Sequence, residues 1–116
     1  MNQDSINKFE EIYNRQKRFE YHFFDADEMS DDEKIIWTKE FIFCLHQELS
    51  EVMQTIPWKT YHTNDKKYSI KDTQTELIDC FKFLLNLMII WNMEPKKIYE
   101  LFNEKSNIVE KRHSNE

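Results

Sequence analysis

The chain has no glycine in its 116 residues, where average usage would give roughly eight. That excludes the phosphate-binding loops made of glycine, the P-loop and the Rossmann turn among them. Hairpin-rich β folds are disfavoured too, because their tight turns need positive φ. Proline occurs twice, at Pro57 and Pro95, so long stretches are free to be helical. No apolar run reaches transmembrane length and no signal-peptide core stands near the N-terminus. The expected setting is cytoplasmic, with no membrane partner. Positive charge is also short: 16 Lys and Arg against 22 Asp and Glu give a net charge of −6. This balance argues against direct nucleic-acid binding. An acidic protein that takes a polyanionic ligand needs metal ions or a local basic cluster. The two cysteines, Cys44 and Cys80, have no CxxC spacing. They read as buried thiols in a reducing compartment, with a disulfide as the alternative.

What is present is helical periodicity over a length that fits a single domain, residues 1–116. In residues 5–24, Ile6, Phe9, Ile12 or Tyr13, Gln16 and Phe19 recur at helical spacing. Ser30-Asp-Asp-Glu33 matches a capping box and predicts a second helix from Asp31 to about Thr55, stopped by Pro57. Phe41, Ile42, Leu45, Leu49, Val52 and Ile56 fall on one stripe of that helix. Residues 57–70 are polar and read as a loop long enough to carry function. Thr73-Gln-Thr-Glu76 marks the start of a third helix, although Lys71 and Asp72 could already be helical; it runs to about Asn92. Its segment Phe83–Trp91 is apolar nearly all round and needs cover on every side. A small monomer can hardly supply that, so an oligomer is expected. Pro95 opens a fourth helix to about residue 112.

Two acid pairs stand out. Glu48-Leu-Ser-Glu51 and Glu76-Leu-Ile-Asp79 share the i, i+3 spacing that puts both carboxylates on one helix face. One such pair is usually a solvated face. Two pairs on successive helices, each flanking an apolar stripe, can instead face one another across the connecting loop. Four carboxylates so placed repel one another unless a cation sits among them. Oxygen donors suit Mg²⁺, with Mn²⁺ possible. Zinc fits less well, because His22, His46, His62 and His113 show no ligand spacing. After the first pair comes Ile56-Pro57-Trp58-Lys59, which reads either as a turn with a packed tryptophan or as a base-stacking ring beside a phosphate-binding lysine. Lys105, Asn107 and Arg112 form a basic helix end. They suit the helix dipole equally well as they suit a phosphate clamp.

Paired acids of this kind on two helices of a small all-α chain resemble the MazG-like all-α NTP pyrophosphatase superfamily, over most of the chain. Residues 9–20, with Gln16 and Phe19-Glu20, look like the first helix of its dimeric dUTPase branch. His46 to His62 looks like the acid pair and PWK segment of phage-type members, with Tyr61 where a tryptophan is usual. Thr75 to Leu87 looks like the second acid motif, with Lys82 in place of a histidine. Lys105 and Arg112 keep the outer spacing of the basic C-terminal helix. The resemblance implies a four-helix MazG-like bundle working as a homodimer or homotetramer. The implied reaction hydrolyses a deoxynucleoside triphosphate, dUTP or dCTP, to the monophosphate and pyrophosphate. Glu48, Glu51, Glu76 and Asp79 would hold the metal, with Glu48 or Glu51 activating water. Gln16, Trp58 and Phe83 would meet the base, and Lys59, Lys105, Asn107 and Arg112 the phosphates. Rival readings are a purine or broad-range NTP pyrophosphatase, and a helical adaptor that keeps only the scaffold.

Overall fold

A computed structural model describes residues 2–58 and 68–114. The chain is all-α: α1 spans Gln3–Glu20, α2 Asp31–Gln54, α3 Ile70–Ile90 and α4 Pro95–Ser114. A short 3₁₀ turn, Ala26–Glu28, links α1 to α2. Among the described residues no helix is long and apolar enough to cross a membrane.

The first three helices each start on a polar cap. Asn2 Oδ1 accepts from the Ser5 N–H at 2.9 Å. Ser30 Oγ accepts from the Glu33 N–H at 3.2 Å, as the predicted capping box requires, and its hydroxyl, in place of the Ser30 N–H, donates to the Glu33 carboxylate at 3.1 Å. The third helix begins a turn earlier than Thr73. Ser69 Oγ accepts from the Asp72 N–H at 3.2 Å and supplies the cap, so Ile70 is the first helical residue. The first helix ends at Glu20, short of the expected residue 24. The N–H groups of Phe23 and Phe24 both turn back onto the Glu20 carbonyl, at 2.8 and 3.0 Å. This turn brings the Phe24 ring to within 5.0 Å of Trp37 and 6.0 Å of Phe41.

Without glycine the chain must still close α3, and Asn92 does so at φ 57°. The N–H of Asn92 donates to the Ile89 carbonyl at 3.0 Å and that of Met93 to Met88 at 2.9 Å. This is the Schellman pattern, in which asparagine is the usual substitute for glycine. Pro95 then opens α4.

The antiparallel α2–α3 pair is the main packing unit; α1 lies against α3, and α4 leans on α1. Tyr13, Ala26, Leu85 and Ile89 form one apolar cluster, and Met29, Phe41 and Ile90 a second, with Phe24 touching both. Within Phe83–Trp91, the chain's own helices bury Leu85, Asn86, Ile89 and Ile90, while Leu84 and Trp91 stay 40% and 46% exposed. The stripe predicted for α2 divides in the same way. Phe41 is buried and Leu45, Val52 and Ile56 are half-buried, but Ile42 and Leu49 face solvent. The exposed positions repeat every seven residues: Ile35, Ile42 and Leu49 on α2, and Leu77, Leu84 and Trp91 on α3. Helical geometry puts both rows on one side of the pair, away from α1. The chain exposes 9441 Å² in all, whereas a compact chain of this mass exposes ~6,800 Å². Its radius of gyration is 17.8 Å, against ~13 Å for a compact domain of this length.

The Asn92 turn can be tested directly. Asn92→Ala should cost roughly 1–2 kcal/mol in urea unfolding, because a Cβ without a local hydrogen bond is penalised at positive φ. Asn92→Gly should be neutral or slightly stabilising.

Candidate metal centre

Two contacts fix the register of α2 on α3. Near the loop, the Thr55 and Thr73 hydroxyl oxygens meet at 2.8 Å. Each hydroxyl also reaches a carbonyl one turn back on its own helix, Thr55 that of Val52 at 2.7 Å and Thr73 that of Ser69 at 3.3 Å. At the far end Trp91 Nε1 donates to Thr38 Oγ1 at 2.9 Å. Antiparallel helices pinned at these points set Glu48 across from Asp79 and Glu51 across from Glu76. One carboxylate oxygen each from Glu48, Glu76 and Asp79 lies within 4.8 Å of the others. Glu51 is exposed at the rim, and its charge acts on both Glu48 and Glu76.

The electrostatics are those of crowded acids. The Glu48 carboxyl is pushed up to about 7, first by burial and then by Glu51, Asp79 and Glu76. Glu76 is raised as well, by burial and then by Glu51 and Asp79. Cys80, the next residue after Asp79, is buried, and its thiol is raised by that burial and by the neighbouring acids. Among the described residues, two buried side-chain oxygens have no hydrogen-bond partner: Glu48 Oε2 and Glu76 Oε2. Native interiors seldom leave polar atoms orphaned. Two orphans in one acidic cluster, with no described cation paired to them, are what a bound hard cation would satisfy.

The site's other half continues along α3. Glu76, Asp79, Phe83 and Asn86 fall within one sector of the helix, so the face runs from carboxylates through an aromatic ring to an amide. Asp79 and Asn86 are two turns apart, ~10.5 Å along the axis. Phe83 is half-buried, its ring 6.1 Å from Phe41. Gln16 of α1 reaches this face: its Nε2 donates to Asn86 Oδ1 at 2.8 Å and to Glu20 Oε1 at 3.3 Å. Asn86 Nδ2 donates to the same Glu20 oxygen at 3.1 Å. The structure thus brings Glu48, Glu51, Glu76 and Asp79 together, with Phe83 and Gln16 further along the same face. Trp58 is 41% exposed at the end of the segment after α2, and Lys59 lies outside the described residues. Lys105, Asn107 and Arg112 are exposed on α4, a helix packed on α1 and not on the acid pairs. Sequence reasoning missed Asn86, the lone polar residue inside Phe83–Trp91. Its seven-residue offset from Asp79 was the available signal.

A family model described as dUTPase matches residues 8–115. The chain belongs to the dUTPase family. No curated protein and no solved structure matches it. Membership of the dUTPase family agrees with the all-helical MazG-like fold. It implies hydrolysis of dUTP or another deoxynucleoside triphosphate, a reaction for which family members use divalent metal. The orphaned carboxylate oxygens and the all-oxygen donor set fit such an ion.

The pH dependence has a definite sign. Between the ordinary carboxyl value of 4.5 and about 7, the folded metal-free chain holds a proton at Glu48 that the unfolded chain has released. Stability from this group is therefore lost as pH rises through that window. The metal-free protein should melt at higher temperature near pH 5 than near pH 8. Excess Mg²⁺ should raise the melting temperature near pH 8 and do little near pH 5. Glu76→Gln should raise the metal-free melting temperature near pH 8 and remove most of the Mg²⁺ response. A Glu76→Gln protein less stable than the parent would contradict the repulsion.

Proposed function

We propose that the chain is a Mg²⁺-dependent nucleoside triphosphate pyrophosphohydrolase acting on dUTP or dCTP. The observation that carries this reading is the pair of sealed, unpartnered oxygens on Glu48 and Glu76, set within reach of Asp79. Glu48, Glu51, Glu76 and Asp79 would hold the ion, with Mn²⁺ as a possible substitute. Bound there, Mg²⁺ neutralises triphosphate charge and polarises the α-phosphorus. Glu48 or Glu51 orients the attacking water and takes its proton. Water oxygen bonds to the α-phosphorus as the bridging α–β oxygen leaves with pyrophosphate. Phe83 and Trp58 stack on or line the base, and Gln16 reads its edge. Lys59, Lys105, Asn107 and Arg112 take the phosphates.

The working form is a homodimer or homotetramer of this single domain. Two features support it. The heptad rows Ile35, Ile42, Leu49 and Leu77, Leu84, Trp91 make a continuous apolar face on the helix pair, opposite the acids. The surplus exposed area, ~2,600 Å² per chain by size scaling, is of the order an obligate interface hides. The basic end of α4 does not pack on its own chain's acid pairs, so it would close the site of a neighbouring copy.

Pyrophosphate release measured across the four deoxynucleoside triphosphates and dUTP tests the assignment. Glu51→Gln and Asp79→Asn should each lower Mg²⁺-dependent turnover by at least ~10²-fold with helicity unchanged by circular dichroism. Near-parental turnover in both would sink the metal assignment. Preference for dGTP or dATP would move the specificity to purines. No turnover, with no metal-dependent thermal shift by any nucleotide, would favour a helical adaptor.

Assembly is tested by light scattering. The parent should run as a dimer or tetramer at micromolar concentration, and Leu84→Glu in the apolar face should shift it toward monomer. A monomeric parent would overturn the burial argument.

A further inference from the structure

Gln16, Glu20 and Asn86 form a closed polar network between α1 and α3, in which Glu20 and Asn86 are 8% and 2% exposed. Both amides donate to one oxygen, Glu20 Oε1. As a carboxylate this oxygen only accepts, so the ends of the amides that face it are their NH₂ groups. Asn86 then turns its Oδ1 to Gln16 and accepts from it at 2.8 Å. Both hydrogens of Gln16 Nε2 are used. The Gln16 amide is left with one uncommitted atom, Oε1, which has no partner among the described residues and is not among the sealed oxygens. An unrestrained glutamine can present either its oxygen or its NH₂ to a ligand. This one is locked as an acceptor. Three hydrogen bonds join the three side chains and hold the Gln16 amide from both of its N–H groups.

The placement matches the site. Asn86 stands on the α3 face that carries Asp79 two turns earlier and Phe83 one turn earlier, so Gln16 is held beyond the ring and away from the carboxylates. That separation is comparable to the one between a nucleotide's phosphates and its base.

We propose that Glu20 and Asn86 are specificity-determining positioning residues, which fix Gln16 Oε1 as a hydrogen-bond acceptor for an N–H donor on the Watson–Crick edge of the base. This rests on the reading of the acidic face as a nucleotide site. The donor is an imide N–H, as in uracil, or an exocyclic amine, as in cytosine. A base presenting an acceptor at that point faces Gln16 Oε1 with neither partner able to donate, and is rejected. Glu20 and Asn86 touch no substrate; they act through Gln16.

The test is binding of non-hydrolysable α,β-imido dUTP and dCTP with Mg²⁺, by titration calorimetry. The parent should prefer one base by about tenfold or more. Glu20→Gln can present either amide end to Gln16, so this ratio should fall severalfold, with affinity for the disfavoured base rising. Gln16→Leu should bring the ratio close to one, and Glu20→Gln added to it should change the ratio no further. A merely structural role would weaken both nucleotides alike and lower the melting temperature in either background. Should Glu20→Gln fail to fold, Asn86→Ser should produce the same narrowing. A parent without base preference, or a ratio unchanged in both Glu20→Gln and Asn86→Ser, overturns the proposal. Base-selective binding without pyrophosphate release would remove the hydrolase reading and leave this inference standing.

Discussion

Mutual repulsion among carboxylates on facing helices is the constraint to which the rest of the structure answers. The α2–α3 pair packs through apolar and aromatic residues over most of its length, yet near the loop it brings Glu48, Glu76 and Asp79 within 4.8 Å of one another. Packing alone would not choose this register, because sliding either helix by a turn would separate the acids. The Thr55–Thr73 and Thr38–Trp91 hydrogen bonds hold it from both ends. Phe24, Trp37, Phe41 and Phe83 tie the middle together through ring contacts of 5.0 to 6.1 Å. Charge crowding of this kind is common at functional sites because structure elsewhere offsets its cost.

Helix α3 acts as a ruler. One sector carries the acids, then Phe83, then Asn86, while Leu85, Ile89 and Ile90 are buried in the core. A rigid helix keeps these chemically different stations at fixed separations, which a loop could not do as well. The remaining side, with Leu77, Leu84 and Trp91, is left apolar and exposed. A single helix thus serves the site, the core and the face proposed to meet a second copy.

Much of this was legible in the sequence because it rests on local chemistry. The four helices follow from periodicity, the start of α2 from Ser30-Asp-Asp-Glu33, and the proximity of the acid pairs from their shared spacing on helices joined by one loop. What was not legible depends on long-range choices. Thr73 read as the start signal of α3, but Ser69 caps the helix and Thr73 meets Thr55 of the neighbouring helix. Helix α1 stops at Glu20 because Phe24 is recruited by Trp37 and Phe41, which local propensity does not register. Asn86 read as a lapse in an apolar run until Gln16 and Glu20 supplied its partners. The basic residues of α4 read equally as a solvated helix end or a phosphate clamp, and within one chain α4 packs on α1.

The near-neutral carboxyl at Glu48 makes the acidic cluster a proton store as well as a candidate cation site. At and below neutrality a cation entering the cluster would compete with the Glu48 proton. Loading is then an exchange reaction, in which acidification competes with the ion for the same oxygens. The heat measured on loading would vary with the ionisation enthalpy of the buffer. Occupancy of such a centre would then depend on the concentrations of both metal and protons.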